Sequence, residues 1–124
     1  MVLTLTRKVV VVLEVLRQAL KIVYETEGVI LWHIDLESND LNNVTTKIQI
    51  KGAALLHAEQ YREFTGTYFP TLASDPRAGY LQLEFLNTSE KFYFWAQSDY
   101  RRCLSVHRYT DPAEIKKIEA LAAR

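Results

Sequence analysis

Three histidines and one cysteine are the side chains of this sequence that could bind a transition metal. Cys103 and His107 are four residues apart, a spacing that brings two ligands together on a helix. Residues 103–109 read as a strand, on which the two share a face but stand about 13 Å apart at roughly 3.3 Å per residue. Zinc lies about 2.0 to 2.3 Å from each ligand, so these two cannot bind one ion. His33 and His57 have no partner at ligand spacing. We therefore expect no metal site and no cofactor.

Cys103 is also the best candidate for a nucleophile, because Arg101 and Arg102 precede it and could favour its thiolate form. A cysteine nucleophile needs a histidine base, but His107 is too far along the same strand, and only a neighbouring strand could bring His33. The sequence contains no Gly-x-Ser-x-Gly serine motif and no clustered glycines for a phosphate loop. It therefore predicts no catalytic residues, and Cys103 reads as a small apolar residue of a sheet.

Basic and aromatic side chains occur together near the end of the chain, where they could bind phosphates and stack on single-stranded bases. The candidates for this role are Arg101, Arg102, Arg108 and Tyr109. Acidic Glu90 and Asp99 lie among them, and the chain balances 15 basic residues with 15 acidic ones. Such a balance gives no long-range attraction for nucleic acid. A single-stranded nucleic-acid-binding domain is therefore the alternative function and not the preferred one.

Length and composition describe an ordinary globular protein. The 124 residues, 48% of them hydrophobic, suit a single α/β domain over residues 1–124. One cysteine allows no internal disulfide, which fits a reducing compartment. The apolar run at residues 9–13 is soon interrupted by Glu14 and is far shorter than the roughly 20 residues that span a bilayer. We expect no membrane insertion and a cytoplasmic location.

Three segments read as helices. Apolar residues repeat at three- and four-residue steps through residues 5–27. Residues 52–65 are rich in Ala and Leu, and Gly66 would end that helix. The last helix has the clearest beginning, because Asp111 can cap it and Pro112 suits its first position.

Five segments read as strands: residues 29–36, 44–51, 80–86, 92–96 and 103–109. Residues 44–51 and 80–86 each have one polar face, as edge strands often do, whereas residues 29–36 and 92–96 are apolar on both faces, as central strands tend to be. This arrangement puts the last strand beside the first. The sequence predicts an α+β fold, a five-stranded antiparallel sheet with helices on both faces in the order α-β-β-α-β-β-β-α.

The segment Glu27–Leu36, which reads Glu-Gly-Val-Ile-Leu-Trp-His-Ile-Asp-Leu, is similar to the opening strand of the roadblock family, the dynein light-chain-like domains. In that family the strand typically follows a glycine after the first helix. The resemblance covers nearly the whole chain through the order of its elements. It implies a small GTPase as a partner, because the family's domains partner small GTPases and motors. Profilin-like and longin-like domains share much of this layout.

A broad apolar sheet face beneath a small second helix predicts a surface that needs a partner. The candidate partner-binding residues are Leu55, Ala58 and Tyr61 on the predicted helix and Tyr93 and Trp95 on the sheet. We expect a non-catalytic protein-interaction module that forms a homodimer or pairs with a related subunit. As a regulator or adaptor it would serve a small GTPase or a larger assembly.

Overall fold

The computed structural model of the protein describes residues 5–23, 25, 29–36, 47–56, 59–72, 75–99 and 101–123. Within these residues, two helices enclose a run of six strands. In order they are α1 (Leu5–Val23), β1 (Val29–Leu36), β2 (Ile48–Leu56), β3 (Tyr61–Leu72), β4 (Asp75–Phe85), β5 (Glu90–Ser98), β6 (Cys103–Tyr109) and α2 (Pro112–Ala122). The last residues of the predicted first helix, residues 26–27, lie outside the described residues.

Each strand pairs with the next one along the chain in an antiparallel manner, so the spatial order is β1-β2-β3-β4-β5-β6. The predicted α+β class, with an antiparallel sheet between an N-terminal and a C-terminal helix, is confirmed. The predicted strand count is wrong, because the sheet has six strands and not five. Simple up-and-down connection explains the order, since consecutive antiparallel strands need only short turns.

The predicted second helix over residues 52–65 is wrong, because these residues form the end of β2 and the start of β3. A tight turn joins the two strands: the Leu56 N–H donates to the Gln60 carbonyl at 2.8 Å, and the Glu59 N–H donates to the Leu56 carbonyl at 2.8 Å. Ala53 and Ala54 are both buried although they face opposite sides of the sheet. Burial on both faces removes the polar alternation that marks a strand, so helix propensity dominated the prediction.

The predicted edges of the sheet are also wrong. β1 and β6 lie at the edges, whereas β2 and β4 have strands on both sides. The interior position of β5 is confirmed, and Phe92, Tyr93 and Phe94 are buried in succession. The two-sided apolar character of residues 29–36 therefore does not mark a central strand. Residues 67–72 and 75–79, which lie outside the predicted strands, form the end of β3 and the start of β4, where Pro70 lies opposite Gly79.

The sheet has a first face covered by α1 and a second face partly covered by α2, so the prediction of helices on both faces is confirmed. α1 lies over β4, β5 and β6. Its buried side chains pack on the first face in one hydrophobic cluster, which includes Val11, Val12, Val15, Leu16, Ala19, Leu20, Ile50, Tyr68, Leu81, Leu83 and Phe94. Burying side chains of this size is worth roughly 1.5 to 3 kcal/mol each, so this cluster is the main core of the molecule.

A smaller cluster holds α2 on the second face. Ile118 is fully buried against Phe69 and Tyr93. The helix begins as predicted: Asp111 accepts a hydrogen bond from the Ala113 N–H at 3.0 Å, and proline occupies the first turn. This cap satisfies one of the N–H groups that a helix start leaves without a partner. The position of α2 decides how much of the second face remains open.

Candidate functional site

α2 covers one part of the second face and leaves another part open. Its C-terminal end is fixed near the start of β2, where the Lys47 ammonium donates to the Ala122 carbonyl at 2.7 Å. Its buried residue Ile118 lies on Phe69 of β3 and Tyr93 of β5. Towards the turn between β2 and β3, large apolar side chains of the second face are exposed.

We call three apolar side chains in this region, Leu55, Tyr61 and Leu86, the end patch. Leu55 lies directly opposite Tyr61 across β2 and β3. The Leu86 N–H donates to the Glu63 carbonyl at 3.1 Å, which brings the end of β4 beside β3. Tyr61 is 56% exposed and Leu86 is 51% exposed, while Leu55 is half-buried. Two strands and the turn after β4 therefore present neighbouring apolar side chains at the surface.

A shallow open depression of 340 Å³ adjoins the end patch and is lined in part by Tyr61 and Leu86. Exposed charged or titratable side chains of both signs stand around it, namely His33, Lys51 and Glu63. Sites for small molecules are usually enclosed and bury most of their ligand. An open depression with an apolar border and mixed charges is better suited to a side chain of a protein partner.

The predicted partner-binding residues fall into two groups. Leu55 and Tyr61 come together in the end patch because they face each other across a strand pair. Tyr93 is only 5% exposed beneath α2, and half-buried Trp95 makes an edge-to-face contact with Tyr80 at 4.9 Å between ring centres. Ala58 lies outside the described residues. The helix expected to carry Leu55 and Tyr61 above Tyr93 and Trp95 does not exist, so the five residues do not form one surface.

Sequence reasoning missed Leu86. It follows Phe85, which is buried on the first face, and is the first residue of the turn at residues 86–89. By the alternation of β4, Leu86 belongs to the same face of the sheet as Glu84 and Gln82. The sequence signal that could have identified Leu86 is a large apolar residue at a position where the strand's alternation expects a polar one, beside a turn.

The predicted nucleic-acid-binding residues are also divided. Arg108 lies on the first face with its guanidinium over the Phe92 ring, 4.9 Å from the ring centre. Tyr109 lies on the second face, 6.4 Å from Tyr80 between ring centres. Arg101 and Arg102 are exposed in the connection between β5 and β6. Successive residues of β6 point to opposite faces of the sheet, so Arg108 and Tyr109 do not share one surface.

The charges beside the tyrosines of the second face disfavour a phosphate ligand. Burial raises the pKa of Tyr109, and neighbouring Tyr80 and Glu114 raise it further. Burial likewise raises the pKa of Tyr93, with Glu119 and then Glu84 adding to the effect. Negative carboxylates disfavour a second negative charge, whether a phenolate or a phosphate.

The connection between β5 and β6 is held by Asp99. Its Oδ1 accepts hydrogen bonds from the Arg101 N–H at 2.7 Å and from the Arg102 N–H at 2.8 Å. These two bonds hold the pKa of the Asp99 carboxyl below its ordinary value. The Arg102 guanidinium comes within 4.0 Å of the same carboxylate. The two arginines are therefore placed in a structured turn.

Cys103 and His107 lie on a strand as predicted, whereas His57 lies outside the described residues. Cys103 and His107 occur on one strand, four residues apart, and the His107 ring contacts Tyr109 at 5.0 Å between ring centres. Within the part of the chain that the structure describes, no three His, Cys, Asp or Glu side chains group to hold a metal ion. In the same part, no helix has the length and apolar character needed to cross a membrane.

No family model, curated protein or solved structure matches the chain. The similarity to roadblock domains therefore stays a prediction from element order. The order itself differs from the expected one, because two strands replace the predicted middle helix.

Proposed function

We propose that the protein is a non-catalytic protein-interaction module of the cytoplasm that self-associates through the end patch. The observation that carries this proposal is the exposure of Tyr61 on β3 and of Leu86 directly after the end of β4, beside half-buried Leu55. Scattered apolar residues are normal on a protein surface, but neighbouring ones on the part of a face that α2 leaves uncovered favour an interface.

A few large apolar side chains would supply the binding free energy of this interface. Complete burial of one such side chain is worth roughly 2 kcal/mol, and a handful of anchors carries most of the binding energy of an ordinary interface. Tyr61 suits this role because it combines a large apolar ring with a hydroxyl that can stay at the rim. Leu86 and Leu55 supply the apolar surface around it.

The charges around the end patch favour a second copy of the chain as the partner. Lys51 and Glu63 carry opposite charges and both line the depression beside the patch. A two-fold interface brings the same patch and the same two charges from each side, so unlike charges can be paired. A wholly acidic or wholly basic partner would oppose one of the two with a like charge, which disfavours binding. A related subunit or a small GTPase, the partner that the roadblock resemblance implies, is the alternative occupant.

Amide and side-chain resonances in solution test this proposal at the level of residues. On dilution from high to low micromolar concentration, we expect the signals of Leu55, Tyr61 and Leu86 to shift as the dimer dissociates. Leu72 lies at the other end of β3 and provides an internal control, because it is exposed but outside the patch. Shifts confined to Leu72, or none at all, would refute self-association through the end patch.

A further inference from the structure

β6 lies at an edge of the sheet and, among the residues that the structure describes, has a strand neighbour on one side only. Its pairing with β5 is regular from Ser105 to Tyr109. The register of this pairing shifts near the start of β6. Ser98 pairs with Cys103 and Gln97 pairs with Ser105, so Leu104 has no residue opposite it on β5. An edge strand carries a row of backbone N–H and C=O groups on its outer side that can pair with an added strand.

Natural proteins usually block such edges with proline, with charges or with bulges. β6 contains no proline, and its bulge is confined to Leu104 at the start of the strand. Its one charged side chain, Arg108, lies over the Phe92 ring on the first face. The stretch Val106–Arg108 therefore remains suited to strand addition, and exposed Leu104 adds an apolar contact beside it.

The charges along this edge are mainly positive. Arg108 is on β6, and Arg101 and Arg102 directly precede the first residue of this strand. The side chain of Arg102 is 76% exposed. Of the acidic residues nearby, Asp99 and Asp111 accept hydrogen bonds from backbone N–H groups, and Glu114, which lies near Tyr109, pairs with Lys117 at 3.5 Å. The Arg102 guanidinium is 4.0 Å from Asp99 yet largely exposed, and the guanidinium groups of the three arginines are donors that bind carboxylates well.

We propose that the outer edge of β6 is the docking site for an extended acidic segment of a partner protein, which adds a seventh strand to the sheet. Backbone pairing supplies affinity in strand addition, and alternate side chains supply specificity. Arg102 and Arg108 are separated by about 20 Å of extended chain at roughly 3.3 Å per residue. A segment of about seven residues with carboxylates near both ends therefore matches the spacing of the arginines.

This site goes beyond the proposed self-association and uses different residues. The end patch is built from β2, β3 and β4, whereas the docking edge is β6. A second copy fits the β6 edge less well than an acidic segment, because it would bring the same three arginines to the seam. Each dimer would therefore present two such edges to acidic partners.

The test uses the full chain and two labelled, end-blocked peptides of seven residues, one alternating valine with glutamate and the other alternating valine with lysine. Fluorescence polarisation should show binding of the glutamate peptide and at least tenfold weaker binding of the lysine peptide. Arg108→Glu should weaken binding of the glutamate peptide at least tenfold. Lys116→Glu changes the net charge equally at an exposed position of α2 and should leave that affinity unchanged.

Two further measurements keep the inference falsifiable if Arg108→Glu harms the fold through loss of its contact with Phe92. Arg102→Glu alters an exposed turn and should weaken the glutamate peptide as well. Amide exchange should slow at Val106–Arg108 when the glutamate peptide is added. Equal binding of both peptides, protection elsewhere, or equally tight binding of a short oligothymidylate would overturn the inference. Protection of β6 that depends on protein concentration alone would assign the edge to a second copy and also contradict it.

Discussion

Leu55 and Tyr61 lie directly opposite each other across β2 and β3. In a helix of 3.6 residues per turn, two residues six positions apart would point to different sides. The antiparallel pairing of β2 and β3 instead brings both onto the second face of the sheet, beside Leu86. The proposed interface therefore depends on a strand pair that the sequence pattern concealed.

Tyr61→Glu should weaken self-association at least tenfold, because a buried carboxylate replaces an apolar anchor worth roughly 2 kcal/mol. Analytical ultracentrifugation across a concentration series measures the change. Leu72→Glu is the matched control, since Leu72 is 63% exposed on the same strand but outside the end patch. Equal weakening by both substitutions would indicate a general effect of charge and would remove support for the patch.

Gly52→Ala should destabilise the fold by about 1 to 3 kcal/mol, the range for overpacked sites. A Cβ at Gly52 would come within 2.6 Å of the His33 carbonyl oxygen and 2.7 Å of the Phe64 ring. Gly66→Ala is the control, because its nearest neighbour is a flexible Leu83 methyl at 3.1 Å. Urea unfolding of the two variants should show the larger loss at Gly52; equal midpoints would contradict the pairing of β1, β2 and β3.

Asp111→Ala should lower the free energy of unfolding by about 1 kcal/mol, because it removes the side chain that caps α2. Asp111→Asn should retain most of the stability, since asparagine also accepts the Ala113 N–H. Thermal or urea unfolding distinguishes the two variants. If asparagine were as damaging as alanine, the charge of Asp111 and not its capping bond would explain the loss.

Asp99→Asn should make the stability of the protein less sensitive to acid. The Asp99 carboxylate accepts two backbone hydrogen bonds that hold its folded pKa below the ordinary value of 3.8. A lowered folded pKa contributes stability that is present above the unfolded pKa and is lost as pH falls through the folded pKa. The free energy of unfolding of the wild type should therefore exceed that of the variant at neutral pH. This difference should disappear as the pH falls below 3.8. A gap independent of pH would contradict this role of the charge.

Local signals made much of the fold predictable from the sequence. Residues 29–36 and 103–109 form strands at the predicted bounds, and the cap at Asp111 begins the last helix as predicted. Alternation and capping depend on neighbouring residues, so one sequence reveals them. The middle helix failed because pairing across strands is non-local: Phe64 packs against Gly52, twelve residues before it.

The candidate site was predictable only in part. Leu55 and Tyr61 were identified as apolar positions, although on the wrong element. Tyr93 was expected to be available to a partner, yet α2 buries it through Ile118, and sequence alone does not show where a terminal helix docks. Leu86 was missed because its role depends on the end of β4 lying beside β3.

The mass of the protein in solution decides between a self-associating protein and a monomer. Light scattering coupled to size-exclusion chromatography at micromolar concentration should give a mass near twice 14.4 kDa, falling towards 14.4 kDa on strong dilution. The same measurement on Tyr61→Glu should show the lower mass at concentrations where the wild type is dimeric. A wild-type mass of 14.4 kDa throughout the micromolar range would contradict self-association.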